Sequence, residues 1–452
     1  DPAKVRGLRV AADVLAAGPE CLLAGTAVGR TLRGEMRSAR EVSPADPAYV
    51  AATFTALARL AALLGGHTPP GGRGVAELEV NPLALTTDGR LVAVDGLARL
   101  HTPTPLLPAR PVAKLCHLLE PKSALVIGVS ASKVNPGRAI LRNLLEGGGI
   151  PAEAIVALHD KATEIDGCRA YPSLAALPAP VDLAVVAVPV EAGVERLMRD
   201  LIEGGHARAI TLITGGFGET AAGRATEASL RATIASAHAK PGGGALVNGG
   251  NCLGIVSVPG GYNTFFIPEY KLPFVPGVVA NVAAVSQSGA HLVTLVSNLA
   301  GVVAPRYAIS FGNQMDVTVA DYLDYLAGDP QVDVFSVYLE GFRPGDGQRF
   351  LDVARRIVQG GRRVLLFKVG RTREGSQAAA SHTAAAVGDY EVCRDLARAA
   401  GVTVCDSLDA FDDFIMGCAL LAGRPRAGRR LGIVTNAGFE ATVAADALGR
   451  FH

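Results

Sequence analysis

Short apolar runs in this chain repeatedly stop at a cluster of small residues and give way to a helical pattern. SALVIGVSASKVNPGRAILRNLLEGG opens one such cycle at Ser123, VVANVAAVSQSGAHLVTLVSNLA another at Val278, and RLGIVTNAGFEATVAADALG begins a further one at Arg430. A wholly apolar strand followed by a tight turn and an amphipathic helix is the unit of a parallel sheet covered on both faces. In such sheets ligands sit at the carboxyl ends of the strands, where the small-residue turns are. Further strands are predicted at AIVAL, DLAVVAVP, AITLIT and ALVN in the first cycle, and at APRYAISFG, DVFSVYLEG and RRVLLFKVG in the second. With 49% hydrophobic residues, 53 glycines and no tryptophan, composition suits doubly wound α/β domains, the first of them Rossmann-like.

Before these cycles, residues 1–100 contain helical patterns, AYVAATFTALARLAALL among them, and then AELEVNPLALTTDGRLVAVDG, which predicts strands turning at Asp88-Gly89. HTPTPLLPARPV at 101–112 reads as an extended linker. The resulting division is 1–102, 112–240, 241–424 and 425–452. A start at Asp1 without methionine, and a stop at His452 inside a third cycle, lead us to expect a piece of a longer protein.

Charge and cysteine usage exclude several classes of partner. A formal net charge of +1 gives no electrostatic reason to expect nucleic acid or an anionic membrane. Neither a signal peptide nor an apolar run of the roughly 18 residues a membrane span needs is found. The seven cysteines show no C-x-x-C pairing, so reduced thiols and a cytoplasmic location are expected.

Several turns carry chemistry. SQSGA at 286–290 and TNAG at 435–438 each end a predicted strand and open a helix, where backbone N–H groups suit a phosphate. Ser286, Gln287, Ser288 and Gly289 form the first candidate site, and Thr435, Asn436 and Gly438 a second. The loop Gly128 to Lys133 precedes a helix in the same way and suits a pyrophosphate, with Ser130 and Ser132 in the turn and Lys133 and Arg138 as nearby cations. A dinucleotide is the rival ligand there, but G-x-G-x-x-G is absent and Asp160 lies beyond the usual spacing of about 20 residues. In AAASHTAAAVGD, His382 stands among alanines beside Ser381 and Thr383. A neutral imidazole in open space is a competent nucleophile near pH 7.

Taken in order, VIGVSASKVNPGRAILRN, DLAVVAVP, TGGFGET, NGGNCLGI, VSQSGA, SFGNQMDV, YLEGF, FKVGRTREG and SHTAAAVGD resemble the α part of NDP-forming acyl-CoA synthetases, relatives of succinyl-CoA synthetase. Residues 70–100 resemble the C-terminal piece of that family's ATP-grasp domain. The resemblance implies a CoA-binding Rossmann-like domain at 112–240 and a flavodoxin-like ligase domain at 241–424. It further implies a truncated second ligase-like domain at 425–452 and a partial ATP-grasp domain at 1–102.

The implied reaction converts a carboxylic acid, CoA and ATP to acyl-CoA, ADP and phosphate through acyl phosphate and a phosphohistidine at His382, oriented by Glu340. CoA is favoured at Gly128, Ser130, Ser132, Lys133 and Arg138. Asn81 and Asp95 match the family's Mg²⁺ positions, with oxygen ligands suited to a hard cation. A homo-oligomer is expected for the complete protein. The alternative is a non-catalytic CoA-sensing module of a fused protein acyltransferase. The sequence departs from the family at Gly249-Gly250-Asn251, where GPN is usual, and in SHTAA, where SHTGS-like residues are usual. The first 69 residues show no glycine-rich nucleotide loop.

Overall fold

The computed structural model describes residues 11–18, 23, 27–33, 35, 46–64, 74–101, 109–217, 221–268, 270–375, 377, 389–424 and 432–448. Helices α1 (Ala11–Ala17), α2 (Ala27–Leu32) and α3 (Pro47–Leu64) precede strands β1 (Gly74–Val80), β2 (Leu83–Leu85), β3 (Leu91–Ala93) and β4 (Gly96–His101). These strands pair as two antiparallel ribbons, β1 with β4 and β2 with β3. Their core is small. Leu23 and Val50 are buried against Phe54, Leu85 and Leu91.

A short helix, α4 (Leu115–Leu119), leads into the first large sheet. Its strands are β5 (Ala124–Ile127), β6 (Ile155–Leu158), β7 (Glu164–Ile165), β8 (Cys168–Tyr171), β9 (Val181–Val186), β10 (Ala207–Leu212) and β11 (Leu246–Gly249). They lie in the order β11-β10-β9-β5-β6-β8-β7, parallel except for the β7–β8 hairpin. Helices α5 (Pro136–Gly147), α6 (Val194–Glu203) and α7 (Ala221–His238) are the crossovers. Because β11 pairs with β10, this sheet extends to Gly249, past the boundary expected at 240. A four-residue run, LVNG, ahead of a glycine-rich turn was too short to fix that end by pattern.

The second sheet contains β12 (Ile255–Ser257), β13 (Tyr262–Asn263), β14 (Val282–Ser286), β15 (Tyr307–Ser310), β16 (Val334–Leu339), β17 (Arg363–Lys368) and β18 (Thr403–Val404). Their order is β13-β12-β15-β14-β16-β17-β18, with the antiparallel pairs β12–β13 and β12–β15 at one edge. Helices α8 (Gly289–Leu299), α9 (Val319–Leu326), α10 (Asp346–Gln359), α11 (Tyr390–Ala399) and α12 (Leu408–Leu420) accompany it. Strand β14 is fully buried, which is what the run VAAVS demands. In each sheet the strand that opens the parallel part has later strands on both sides, β9 and β6 around β5, and β15 and β16 around β14. The carboxyl ends of β5 and β14 are therefore the topological switch points, where loops diverge and leave a crevice.

The two sheets share one core and a polar seam. Val126 and Leu246 of the first belong to the same buried cluster as Val285, Phe335 and Val337 of the second. Along the seam Asn313 N donates to Gly250 O (2.8 Å), Met315 N to Gly249 O (2.6 Å) and Val317 N to Val247 O (3.1 Å). Asp316 accepts from Val247 N at 3.0 Å and faces His238 Nε2 at 3.0 Å.

The expected third unit differs. Residues 432–434 form no strand, Val434 is fully exposed, and helix α13 (Gly438–Leu448) buries no side chain. Apolar sequence alone does not make a strand when no neighbour supplies the ladder.

The seam contains a titratable lock. His238 Nδ1 faces the Gly243 carbonyl at 2.5 Å and Nε2 faces the Asp316 carboxylate, so both ring nitrogens must carry protons. Burial opposes that charge, but the Asp316 hydrogen bond and charge, with the Gly243 carbonyl, hold the imidazole pKa above its ordinary value. A raised folded-state pKa contributes stability that is fully present below the unfolded value of about 6.5 and is lost as pH rises through the folded value. Urea unfolding between pH 6 and 8 should therefore show stability falling with pH. His238→Gln should lower stability at pH 6 and flatten the slope; an unchanged slope would show that the lock is not titrating.

Candidate active site

At the first switch point, β5 ends in Gly128, whose φ is +96°, and an added Cβ would stand 2.4 Å from Ala187 O. Only glycine lets the chain turn there against the β9 loop. The loop that follows is organised by Asn135, a residue the sequence reading passed over. As N-cap of α5 its Oδ1 accepts from Ser130 N (3.2 Å) and Arg138 N (3.0 Å), while Nδ2 donates to Gly128 O (2.8 Å). The N-P-G run at 135–137 is an N-cap followed by proline, and this signal could have identified it. Ser130 Oγ accepts weakly from Ser132 N (3.4 Å) and Lys133 N (3.3 Å).

Lys133 is exposed at the rim, but Arg138 is placed otherwise. Its guanidinium makes a two-pronged pair with Asp166 (2.9 and 2.5 Å) and also donates to Ala131 O at 3.2 Å. Hydrogen bonds from Arg138 and then Arg142 hold the Asp166 carboxyl well below the usual range. Arg138 thus braces the loop and is already neutralised by a carboxylate.

The second switch point brings Gln287 and Glu340 together. Both are buried. Gln287 N donates to Tyr338 O at 3.0 Å, and its Oε1 accepts from Glu340 N (2.9 Å) and Gly341 N (3.2 Å). Gly341 O in turn accepts from Gln314 Nε2 at 2.8 Å. Ser288 caps α8, its Oγ accepting from His291 N at 3.3 Å, and Gly289 gives the first helical residue. A Cβ on Gly289 would lie 2.8 Å from Leu253 Cβ, so the helix start is seated closely.

Ser286 Oγ donates to Ser288 O (2.7 Å), leaving it to accept from Nδ1 of His291 at 3.2 Å. Burial pushes the His291 pKa down to about 4, so this ring is neutral at pH 7, and it stacks on Tyr338 with centroids 4.2 Å apart. Lys368, at the end of β17, is buried and donates to Glu340 O at 2.8 Å. A lysine ending an apolar strand reads as a solvated tip, so pattern could not single it out.

His382, with Ser381 and Thr383, lies outside the described residues. Thr435, Asn436 and Gly438 form a turn with internal hydrogen bonds: Ala437 N donates to Thr435 Oγ1 at 3.1 Å, and the Thr435 hydroxyl donates to the Glu440 carboxylate.

Asn81 and Asp95 face each other beyond the β1–β4 ribbon, Asn81 N donating to Asp95 O at 3.1 Å. Asn81 Nδ2 donates to Glu79 Oε1 (3.1 Å), which leaves its Oδ1 facing out, and both residues are exposed. Among the described residues no group of three or more His, Cys, Asp or Glu gathers to hold a metal. Two hard oxygens fit Mg²⁺ only with phosphate and water completing the shell.

Comparison with known proteins agrees with this layout. A CoA binding domain model matches residues 122–256, and a succinyl-CoA ligase like flavodoxin domain model matches residues 279–418. Both matches lie beyond residue 121, so neither bears on the ATP-grasp structure expected at 1–102. The α subunit of an ADP-forming acetate–CoA ligase II from Pyrococcus furiosus is 30% identical over 339 residues, covering 74% of this chain and 69% of the relative. An ADP-forming acetate–CoA ligase I from Archaeoglobus fulgidus is 32% identical, and there the match spans 45% of the relative's length. A solved structure of the dinucleotide forming acetyl-coenzyme A synthetase 1 of Ca. Korarchaeum cryptofilum, in complex with phosphate and ADP, superposes with a TM-score of 0.64 at 30% identity, covering 74% of this chain and 68% of that one. With its two matched domains in order and relatives of this identity and coverage, the chain belongs to the ADP-forming acyl-CoA synthetase family.

Proposed function

We propose that this chain carries the CoA-binding and phosphoryl-transfer parts of an acid–thiol ligase that converts a carboxylic acid, CoA and ATP to acyl-CoA, ADP and phosphate. The observation that carries this reading is the Gln287 carboxamide holding the Glu340 and Gly341 amides at the second switch point. It joins the SQSG turn to the acidic strand end in one crevice. In the ATP-forming direction a phosphate oxygen attacks the thioester carbonyl, the C–S bond breaks, and CoA leaves with the proton. The His382 imidazole then attacks phosphorus, the P–O bond to the acyl group breaks, and the carboxylate leaves. Finally a terminal ADP oxygen attacks the phosphohistidine and the P–N bond breaks, giving ATP.

Within this sequence the SQSG turn presents amide and hydroxyl donors to the phosphoryl oxygens. Glu340 accepts from the second ring nitrogen of His382 and keeps the attacking nitrogen unprotonated. CoA's pyrophosphate rests on the 128–133 loop, which Asn135 and Arg138 hold in shape, with Lys133 as the exposed cation. Mg²⁺, when bound with nucleotide at Asn81 and Asp95, supplies charge neutralisation of the phosphates. The sensing-module alternative draws no support from relatives named as ligases. The scattered cysteines, without C-x-x-C pairing, suit a cytoplasmic enzyme.

Incubation with radiolabelled acetyl phosphate should place one acid-labile, alkali-stable label on the chain. His382→Asn should abolish it, and Glu340→Gln should reduce it by about tenfold, in line with loss of a charge-assisted hydrogen bond of roughly 1.5–3 kcal/mol. Acid-stable label would instead indicate Ser381 or Thr383, and no label above the His382→Asn background would overturn the catalytic reading.

Calorimetry should detect CoA binding and no NAD binding, with Lys133→Glu weakening CoA because it sets a negative charge beside the phosphates. Saturable NAD binding without CoA binding would return the site to a dinucleotide. For the metal pair, Asp95→Asn should weaken Mn²⁺ binding followed by electron paramagnetic resonance with ADP present, and leave CoA affinity unchanged. Unaltered Mn²⁺ binding would remove Asn81 and Asp95 from the nucleotide site.

A further inference from the structure

Lys368 is 1% exposed, and its ammonium donates to Glu340 O at 2.8 Å and Val369 O at 2.7 Å. Among the described residues it pairs with no carboxylate. Burying an ammonium on carbonyls alone is costly, and a methionine of similar length would fill the same space without that cost. The position of the charge gives the reason. Lys368 pairs in register with Leu339, directly beside the strand end that carries Glu340.

The turn at 340–341 is held from several sides at once. Its two N–H groups go to Gln287 Oε1, its second carbonyl to Gln314 Nε2 and its first carbonyl to Lys368 Nζ. Three elements, the β14–α8 loop, the β15–α9 loop and β17, thereby fix one peptide pair. Burial lowers the Lys368 pKa, while the charge of Glu340 favours the ammonium.

We propose that Lys368 is a positioning residue for phosphoryl transfer: it acts through Glu340, fixing the 340–341 turn and setting a positive charge beneath the Glu340 carboxylate. This rests on the reading of Glu340 and His382 given above. Lys368 itself touches neither substrate nor the reacting phosphorus.

The test is a double-mutant cycle read as the rate of acid-labile labelling from radiolabelled acetyl phosphate. Lys368→Met should slow labelling by about tenfold, the range of losing a charge-assisted hydrogen bond, while CoA affinity by calorimetry, set in the other sheet, is unchanged. Combined with Glu340→Gln, Lys368→Met should cost no more than about a further twofold, because groups acting through one another are non-additive. A double variant whose loss is the product of the two single losses would overturn the proposal and leave Lys368 a structural residue. An unlabelled wild type, or a Glu340→Gln variant that labels at the wild-type rate, would overturn the underlying reading and this proposal with it. If Lys368→Met does not fold, as judged by circular dichroism and lost CoA binding, Lys368→Gln, which retains a donor for one carbonyl, is read by the same cycle.

Discussion

Residues 313–317 run along β11 as a hydrogen-bonded margin, and the relation between the two sheets depends on this seam. Three backbone bonds tie Asn313, Met315 and Val317 to Gly250, Gly249 and Val247. The carbonyls on the outer side of the same segment are not left bare. Arg231 from α7 donates to Met315 O (2.6 Å) and Gln314 O (3.0 Å), and Arg343 donates to Asn313 O (2.7 Å) and Gln314 O (3.1 Å). Both guanidiniums share the buried Glu227 carboxylate, so the seam's charges are met within the protein. Removing one member would leave the others buried and unpaired, which is the costly outcome for such networks. The seam also carries Gln314, whose amide reaches the 340–341 turn. The first sheet is thereby mechanically connected to the switch-point crevice of the second.

Close approach at glycines completes the connection. A Cβ on Gly312 would lie 2.2 Å from Gly250 O, and one on Gly250 would lie 2.8 Å from the Phe217 ring. The GGN variation at 249–251 thus sits where β10, β11 and the seam converge. A bulkier residue at Gly250 would require Phe217 to move. Gly149 and Gly261 play the corresponding part where α5 meets the β12–β13 connection, Gly149 N donating to Gly261 O at 2.8 Å. Small residues at these points set the distance between layers, and the side chains around them fill what remains.

Much of this was legible because α/β sheets leave a periodic trace. Apolar strands at 124–127 and 282–286 were visible, and so were the turns at their carboxyl ends, since both the buried strand and the N-cap chemistry are local. Glu340 was named by the family resemblance, and the adjacency of β14 and β16 is what brings it to the SQSG turn. What failed to show was long-range. Asp166, which claims Arg138, sits in a two-residue hairpin turn with φ +48°, 28 residues away, and no periodicity announces it. The turn at Thr435 looked like the one at Ser286 because sequence records the turn and not whether a sheet stands behind it. At Thr435 the hydroxyl is engaged by Glu440 of the helix that follows.

The distribution of charge in the second crevice bears on what passes through it. The 340–341 amides are already taken by Gln287, and the cation bonded to the turn, Lys368, is screened from solvent. An exposed arginine fork would grip a phosphoryl group bidentately and hold it. In the proposed reaction the phosphoryl group moves from an acyl oxygen to an imidazole and then to a nucleotide, and it would gain nothing from a deep resting place, because binding common to every state does not lower the barriers between them. In that reaction a fixed turn, with a buried charge acting at one remove, favours transit over retention. The stiffness of the 340–341 turn then becomes the controlled quantity, and the side chains that hold it, from three separate elements, are the means of control.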